Sequence, residues 1–210
     1  DKVFREKGVK EYEIYQRENI NVVLKEGVAF PFIKRLLSIN EIDKKNNPIE
    51  VILLSRNSAD TGLRVFRSIS EYDLDITRAA FFSGSEPYKY IPAFNASLFL
   101  SANEQDVKVA IDSGFSAGQV LGNSTTSDSE DDNEFRISFD FDGVIANDES
   151  EIVFKERGMK MYHEYEKFYA DKPLDIGPAG ELLKKISHIQ EAEHLYSLKN
   201  EEYIPKLRTS

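Results

Sequence analysis

The sequence predicts an α/β fold, with helices flanking a mostly parallel sheet, a helical cap segment and an internal duplication. Three observations predict it. Short apolar, β-branched runs alternate with longer segments of helical period. The strand runs lack the polar alternation of a half-solvated sheet, as expected when helices cover both faces. The pattern of the first forty residues also returns near the end of the chain.

The elements follow in order. An amphipathic helix is predicted from about Lys2 to Glu18, with Val3, Phe4, Val9, Tyr12 and Tyr15 on related faces. A second runs from about Ala29 to Asn40, with Pro31 in its first turn. "IEVILLS" from Ile49 reads as a buried strand, and "DTGLRVFRSISEY" as a helix capped by Asp60. "TRAAFF" and "ASLFL" are strands; the helix "NEQDVKVAIDSG" stops at Gly114, and "AGQVL" is a further short strand. Residues 122–134, "GNSTTSDSEDDNE", are polar and acidic and read as a flexible linker. A strand follows at 135–140, then helices at about 150–169 and 179–198, joined across Pro173 and Pro178.

"VFREKGVKEYEIYQ" from Val3 aligns with "VFKERGMKMYHEYE" from Val153, an offset of 153 − 3 = 150. Over residues 1–40 against 151–190 the offset holds without a gap and gives 12 identities, among them Gly8/Gly158, Gly27/Gly177, Tyr12/Tyr162 and Tyr15/Tyr165. The expected organisation is therefore a first α/β copy over 1–121 lacking its first strand, the linker at 122–134, and the start of a second copy over 135–210. In this reading the second copy stops just short of its equivalent of "IEVILL". The strand at 135–140 would fill the slot left in the first copy, pairing in parallel with residues 50–54 and facing Asp140 and Ser55 into one cleft.

Composition narrows the function. A net charge of −10 argues against a nucleic-acid binder, which needs a basic footprint. An anionic small substrate stays compatible, because a bound metal ion supplies positive charge locally. The chain has no cysteine, which excludes disulfides and thiolate metal sites. No apolar run approaches the ~20 residues of a membrane helix, and no export signal is visible, so the cytoplasm is the expected location. A homo-oligomer is compatible with all of this.

The chemistry concentrates in "FRISFDFDGVIANDESE", from Phe135. Ligands of open parallel sheets bind beyond the carboxyl ends of the strands. With a period of two, Asp140 and Asp142 point to the same side there. Paired carboxylates suit a hard cation such as Mg²⁺. The first can attack phosphorus, and the second can protonate the leaving oxygen and then activate water. An acidic turn or a surface Ca²⁺ loop is the plain alternative. His163, His188 and His194 have no metal-ligand spacing; Phe154, Tyr162 and Tyr165, which could stack a base, read instead as core from their helical spacing and their repetition in the first copy.

The apolar strand followed by Asp, an aromatic residue, Asp and Gly resembles motif I of the haloacid dehalogenase-like phosphohydrolases, a Rossmann-like fold. "VILLSRNS", ending its strand at Ser55, resembles motif II, and "SLFLSANEQDVKVAIDSGFSAGQVL" resembles the motif IV region. "GVAFPFIKRLL", "YDLDITRAAFFSG" and the D-x-D strand together resemble the cytosolic 5′-nucleotidase type I family. That resemblance implies Mg²⁺-dependent hydrolysis of nucleoside 5′-monophosphates in the cytosol. It implies Asp140 and Asp142 as catalytic and metal-binding residues, and Ser55, Asn57 and Lys89 as phosphate-binding ones. The aspartate pair expected in motif IV reads Ser101-Ala102-Asn103-Glu104. A degenerate, non-catalytic nucleotide-binding module and a sugar-phosphate phosphatase are the alternative readings.

Overall fold

Every strand among the described residues pairs in parallel, and each parallel pair is joined through a helix or a longer connection. The computed structural model describes residues 2–122, 129, 132–141 and 143–210. Within them β1 (Ile52–Ser55) pairs with β2 (Arg78–Phe81), β3 (Phe99–Ser101) with β4 (Ala117–Gln119), and β5 (Phe135–Ile137) with β6 (Leu207–Thr209). The predicted parallel α/β character is present, as three two-stranded sheets. The helices are α1 (Lys2–Glu18), α2 (Phe30–Ser38), α3 (Ala59–Glu71), α4 (Glu104–Asp112), α5 (Glu149–Phe168) and α6 (Gly180–Ser197).

The chain forms two compact units: Asp1–Asn95 with Val120–Asn133, and Ala96–Gln119 with Glu134–Ser210. In the first, Leu37, Ile39, Ile49, Ile76 and Ile91 form the buried core. The buried Asn40 amide closes the approach to β1 in the manner of a strand partner. Its Nδ2 donates to Ile49 O at 2.8 Å, and its Oδ1 accepts from Ile49 N at 2.9 Å. Helix α3 begins one residue before Asp60, with Ser58 at its N-cap position, and the Asp60 carboxylate instead pairs with Arg17 at 2.7 Å. Of the expected linker, residues 123–128, 130 and 131 lie outside the described residues. Two of its described carbonyls, Asp132 O and Ser129 O, accept from Arg35 at 2.7 and 3.3 Å.

In the second unit Phe99, Val107, Ala110, Phe135, Ile186, Tyr203 and Leu207 are buried. The β3–α4–β4 segment is tied to the elements after β5 by Ser116 Oγ donating to Pro178 O and Lys185 Nζ to Ser97 Oγ, both at 2.8 Å.

The predicted pairing of residues 135–140 with 50–54 is not what the chain does. β5 takes β6 as its partner, in the register Phe135↔Leu207. The strand expected only after Ser210 has thus already begun at Leu207, where the buried Glu193 carboxylate accepts from the Lys206 and Leu207 N–H groups and presents the segment to β5.

Two local features recur at the 150-residue offset. Gly8 (φ 83°, ψ −175°) and Gly158 (φ 78°, ψ 175°) break α1 and α5 with the same backbone conformation, one that only glycine adopts readily. Phe4 meets Tyr12 edge-on at 5.8 Å, and Phe154 meets Tyr162 edge-on at 6.1 Å. These rings are not core: Phe4 is 48% exposed and Phe154 42%.

Candidate active site

The β5 ladder extends beyond the strand itself. Ser210 N donates to Ile137 O at 3.1 Å and Phe139 N to Ser210 O at 3.0 Å, which fixes the backbone up to Asp140. Asp140 is exposed at the carboxyl end of this pair, and its Oδ1 accepts from Phe141 N at 2.8 Å. Next comes a tight turn, in which the Phe141 carbonyl receives the N–H groups of Val144, Ile145 and Ala146 at 3.4, 3.0 and 3.0 Å. Gly143 lies in this turn at φ 71°, a value that disfavours a side chain. Asp142 lies outside the described residues.

The turn is clamped from the far side by the segment between α5 and α6. Asn147 N donates to Asp175 O at 2.8 Å, Gly177 N to Ile145 O at 2.8 Å and Ala179 N to Val144 O at 2.9 Å. Gly177 is obligatory there, because a Cβ would stand 2.5 Å from both Ala146 O and Val144 O. A Cβ on Gly27, its partner in the repeat, would meet nothing within 4 Å. We expect Gly177→Ala to cost about 2–3 kcal/mol, because the backbone facing it must move, whereas Gly27→Ala stays within about 0.5 kcal/mol of the parent. Urea denaturation of both variants compares them directly, and equal losses would contradict this account.

The phosphate-binding residues named from the sequence lie in the first unit, and Asp140 lies in the second. Ser55 ends β1, and its hydroxyl accepts from Asn57 N at 3.2 Å. The turn after β1 is laced to the one after β2 by Phe82 N donating to Ser55 O at 2.9 Å and Ser83 N to Asn57 O at 3.1 Å. Ser58 Oγ, at the start of α3, is buried without a hydrogen-bond partner among the described residues. Lys89 lies on a short 3₁₀ turn, where its ammonium pairs with Glu86 at 2.5 Å in an exposed position. That hydrogen bond raises the Lys89 pKa and lowers that of Glu86. The turn expected to hold paired aspartates is a helix cap instead. Asn103 Oδ1 accepts from Asp106 N, and Ser101 Oγ from Asn103 N, both at 3.1 Å.

Sequence reasoning missed two polar networks. Glu193 on α6 is fully buried and accepts from Tyr203 Oη at 2.6 Å, Lys206 N at 2.8 Å and Leu207 N at 3.0 Å, so it holds β6 against β5. Arg64 on α3 is also buried, donating from Nε to Val22 O at 2.7 Å and from Nη1 to Gln16 Oε1 at 3.1 Å. A single acid or arginine inside an amphipathic helix carries no sequence signal of burial.

The profile of the 5′-nucleotidase family matches residues 1–210. The chain belongs to the 5′-nucleotidase family. Human cytosolic 5′-nucleotidase 1B is 30% identical to it over 213 residues, covering 99% of this chain and 34% of that protein. The chain therefore spans about a third of the length of this 5′-nucleotidase relative. No solved structure matches it. No helix among the described residues is long and apolar enough to cross a membrane.

Proposed function

We propose that this chain carries the nucleophile of a cytoplasmic, Mg²⁺-dependent phosphomonoester hydrolase acting on nucleoside 5′-monophosphates. The observation that carries the reading is Asp140, held at the carboxyl end of a parallel strand pair in a chain of the 5′-nucleotidase family. A Mg²⁺ ion fits this donor chemistry: the Asp140 carboxylate is a hard oxygen ligand, exposed and already oriented by the Phe141 N–H. Asp142, two residues on, would add a second oxygen donor near the ion. When bound, the cation neutralises phosphate charge that a chain of net charge −10 would otherwise repel.

The protein's own groups account for the bond changes. A carboxylate oxygen of Asp140 attacks phosphorus, and the bond from phosphorus to the ester oxygen breaks. Asp142 gives its proton to the departing nucleoside oxygen. It then takes a proton from water, whose oxygen attacks the aspartyl-phosphate and releases inorganic phosphate with Asp140 restored. The Gly177 clamp keeps the turn that follows Asp140 in place. Helices α5 and α6, which begin beside that turn, form the cap segment of this proposal.

Asp142→Asn should leave nucleotide binding intact and lower kcat by roughly 10²–10⁴-fold, the usual range for a lost general acid–base. An unchanged kcat removes Asp142 from the role. The reading also takes residues 1–121 and 135–210 as two copies of one ancestral unit. For the first copy alone, the capped turn at Ser101–Glu104 favours binding without catalysis, since Ser101 and Asn103 are spent on backbone hydrogen bonds.

A further inference from the structure

The acidic stretch before β5 carries a hydroxyl group that the proposed hydrolysis does not use. Residues 128–134 read Asp128, Ser129, Glu130, Asp131, Asp132, Asn133 and Glu134, five carboxylates in seven positions. Ser129 is the one serine or threonine of the chain whose next three residues are all acidic. Ser127 has two acids in that window, Thr125 and Thr126 have one each, and Ser124 has none. No lysine or arginine occurs between Gly122 and Glu134. Ser129 is exposed, and its backbone is anchored within the first unit. Asp132 N donates to Ser129 O at 3.1 Å, which closes a turn. Arg35 on α2 holds this turn at both ends, donating from Nε to Asp132 O at 2.7 Å and from Nη2 to Ser129 O at 3.3 Å.

We propose that Ser129 is a phosphorylation site for a protein kinase that selects serine before acidic residues, and that Arg35 receives the phosphate. A kinase whose substrate groove is lined by lysine and arginine complements carboxylates at the three positions after the serine. A kinase built for basic substrates meets like charge in the same segment and is rejected. The bond from Arg35 Nη2 to Ser129 O is exposed to solvent, so the turn opens to a kinase at small cost. In the transfer, the Ser129 hydroxyl oxygen attacks the γ-phosphorus of ATP. The bond from that phosphorus to the β–γ bridging oxygen breaks, ADP leaves, and the hydroxyl proton passes to the kinase's base. The product carries about −1.5 to −2 of charge and three acceptor oxygens. The neighbouring carboxylates that recruit the kinase repel this charge, and the guanidinium already held against the Ser129 backbone offsets that repulsion. A guanidinium forks onto phosphate through two parallel N–H donors, which an ammonium cannot do. The site stands apart from the reading of Asp140 as nucleophile and does not depend on it.

The test incubates the full-length protein with ATP and a purified acidophilic serine/threonine kinase, in parallel with a basophilic one, and locates the phosphate by fragmentation mass spectrometry. We expect phosphate at Ser129 from the acidophilic kinase and none there from the basophilic one. Asp132→Asn should slow incorporation about two- to fivefold, the scale of one exposed ion pair. Changing Glu130, Asp131 and Asp132 together to their amides should slow it at least about tenfold. Phosphorus NMR then titrates the phosphoserine, whose second pKa is about 6 when unperturbed. With Arg35 present it should titrate at least about 0.3 units lower than in Arg35→Gln, and Arg35→Lys, which keeps the charge but loses the fork, should fall between. Equal melting temperatures of the unphosphorylated proteins show that the fold is intact. No incorporation, phosphate at another hydroxyl in place of Ser129, a rate indifferent to the acidic residues, or the same phosphate pKa in the parent and Arg35→Gln overturns the proposal.

Discussion

With Asp140 as the proposed nucleophile, Asp140→Asn in the full-length protein is expected to lower kcat for nucleoside 5′-monophosphates by at least about three powers of ten and to leave the fold unchanged. The size follows from the role. Without a carboxylate to attack phosphorus, the route through a covalent intermediate closes, and residual turnover must use direct attack by water. The fold survives because the substitution is isosteric. Asparagine keeps an Oδ1 that can accept from Phe141 N, the bond that orients Asp140 at 2.8 Å. The β5–β6 ladder involves backbone groups that the change does not touch. Steady-state kinetics with a circular-dichroism spectrum of each protein separates chemistry from folding. If the variant retains a tenth of the activity, Asp140 is not the nucleophile.

Glu193→Ala unfolds the second unit more readily than any surface change, costing about 3–5 kcal/mol. Glu193 is 0% exposed, and its carboxylate accepts three hydrogen bonds. Truncation strands the Tyr203 hydroxyl and the N–H groups of Lys206 and Leu207, at about 1–3 kcal/mol for each donor left buried. Partial relaxation keeps the total below the sum of three such penalties. Glu193→Gln keeps the volume but offers one acceptor oxygen and places an amide N–H₂ against a donor, so it should fall between the two. The damage spreads to β5, because β6 is its hydrogen-bonded neighbour. Urea denaturation measures the loss, and a midpoint for Glu193→Ala equal to the parent's would contradict the network's importance.

The legible parts of the sequence are those whose signal is local. The place of Asp140 at the carboxyl end of a strand could be read because the apolar run before it is local, and the strand and helix types followed from periodicity. The partner of β5 could not be read. "KLRTS" offers one buried apolar residue, Leu207, and becomes a strand because Glu193, fourteen residues earlier, captures its backbone. The face of α1 misled for the same reason. Its predicted apolar residues Phe4 and Val9 are about half exposed, and its buried residue is Gln16, whose partner Arg64 lies 48 positions away. Gly8 and Gly158 were visible as a repeated pair, but a glycine within a helical pattern is normally tolerated, so the breaks themselves were not.

The division of the chain into units has a consequence for the order in which a ribosome can build them. The chain passes from one unit to the other three times, at residues 95–96, 119–120 and 133–134. The described residues of the first unit have all emerged once residue 133 is made, but residues 96–119 pack with residues 134–210. They wait for 210 − 119 = 91 further residues, roughly 5–20 s at ordinary rates of synthesis. During that interval β3 and β4 have only each other, and an isolated two-stranded pair is marginal in water. A nascent chain halted between residues 134 and 210 would carry the first unit's residues and an open β3–α4–β4 segment, a substrate for chaperones and proteases.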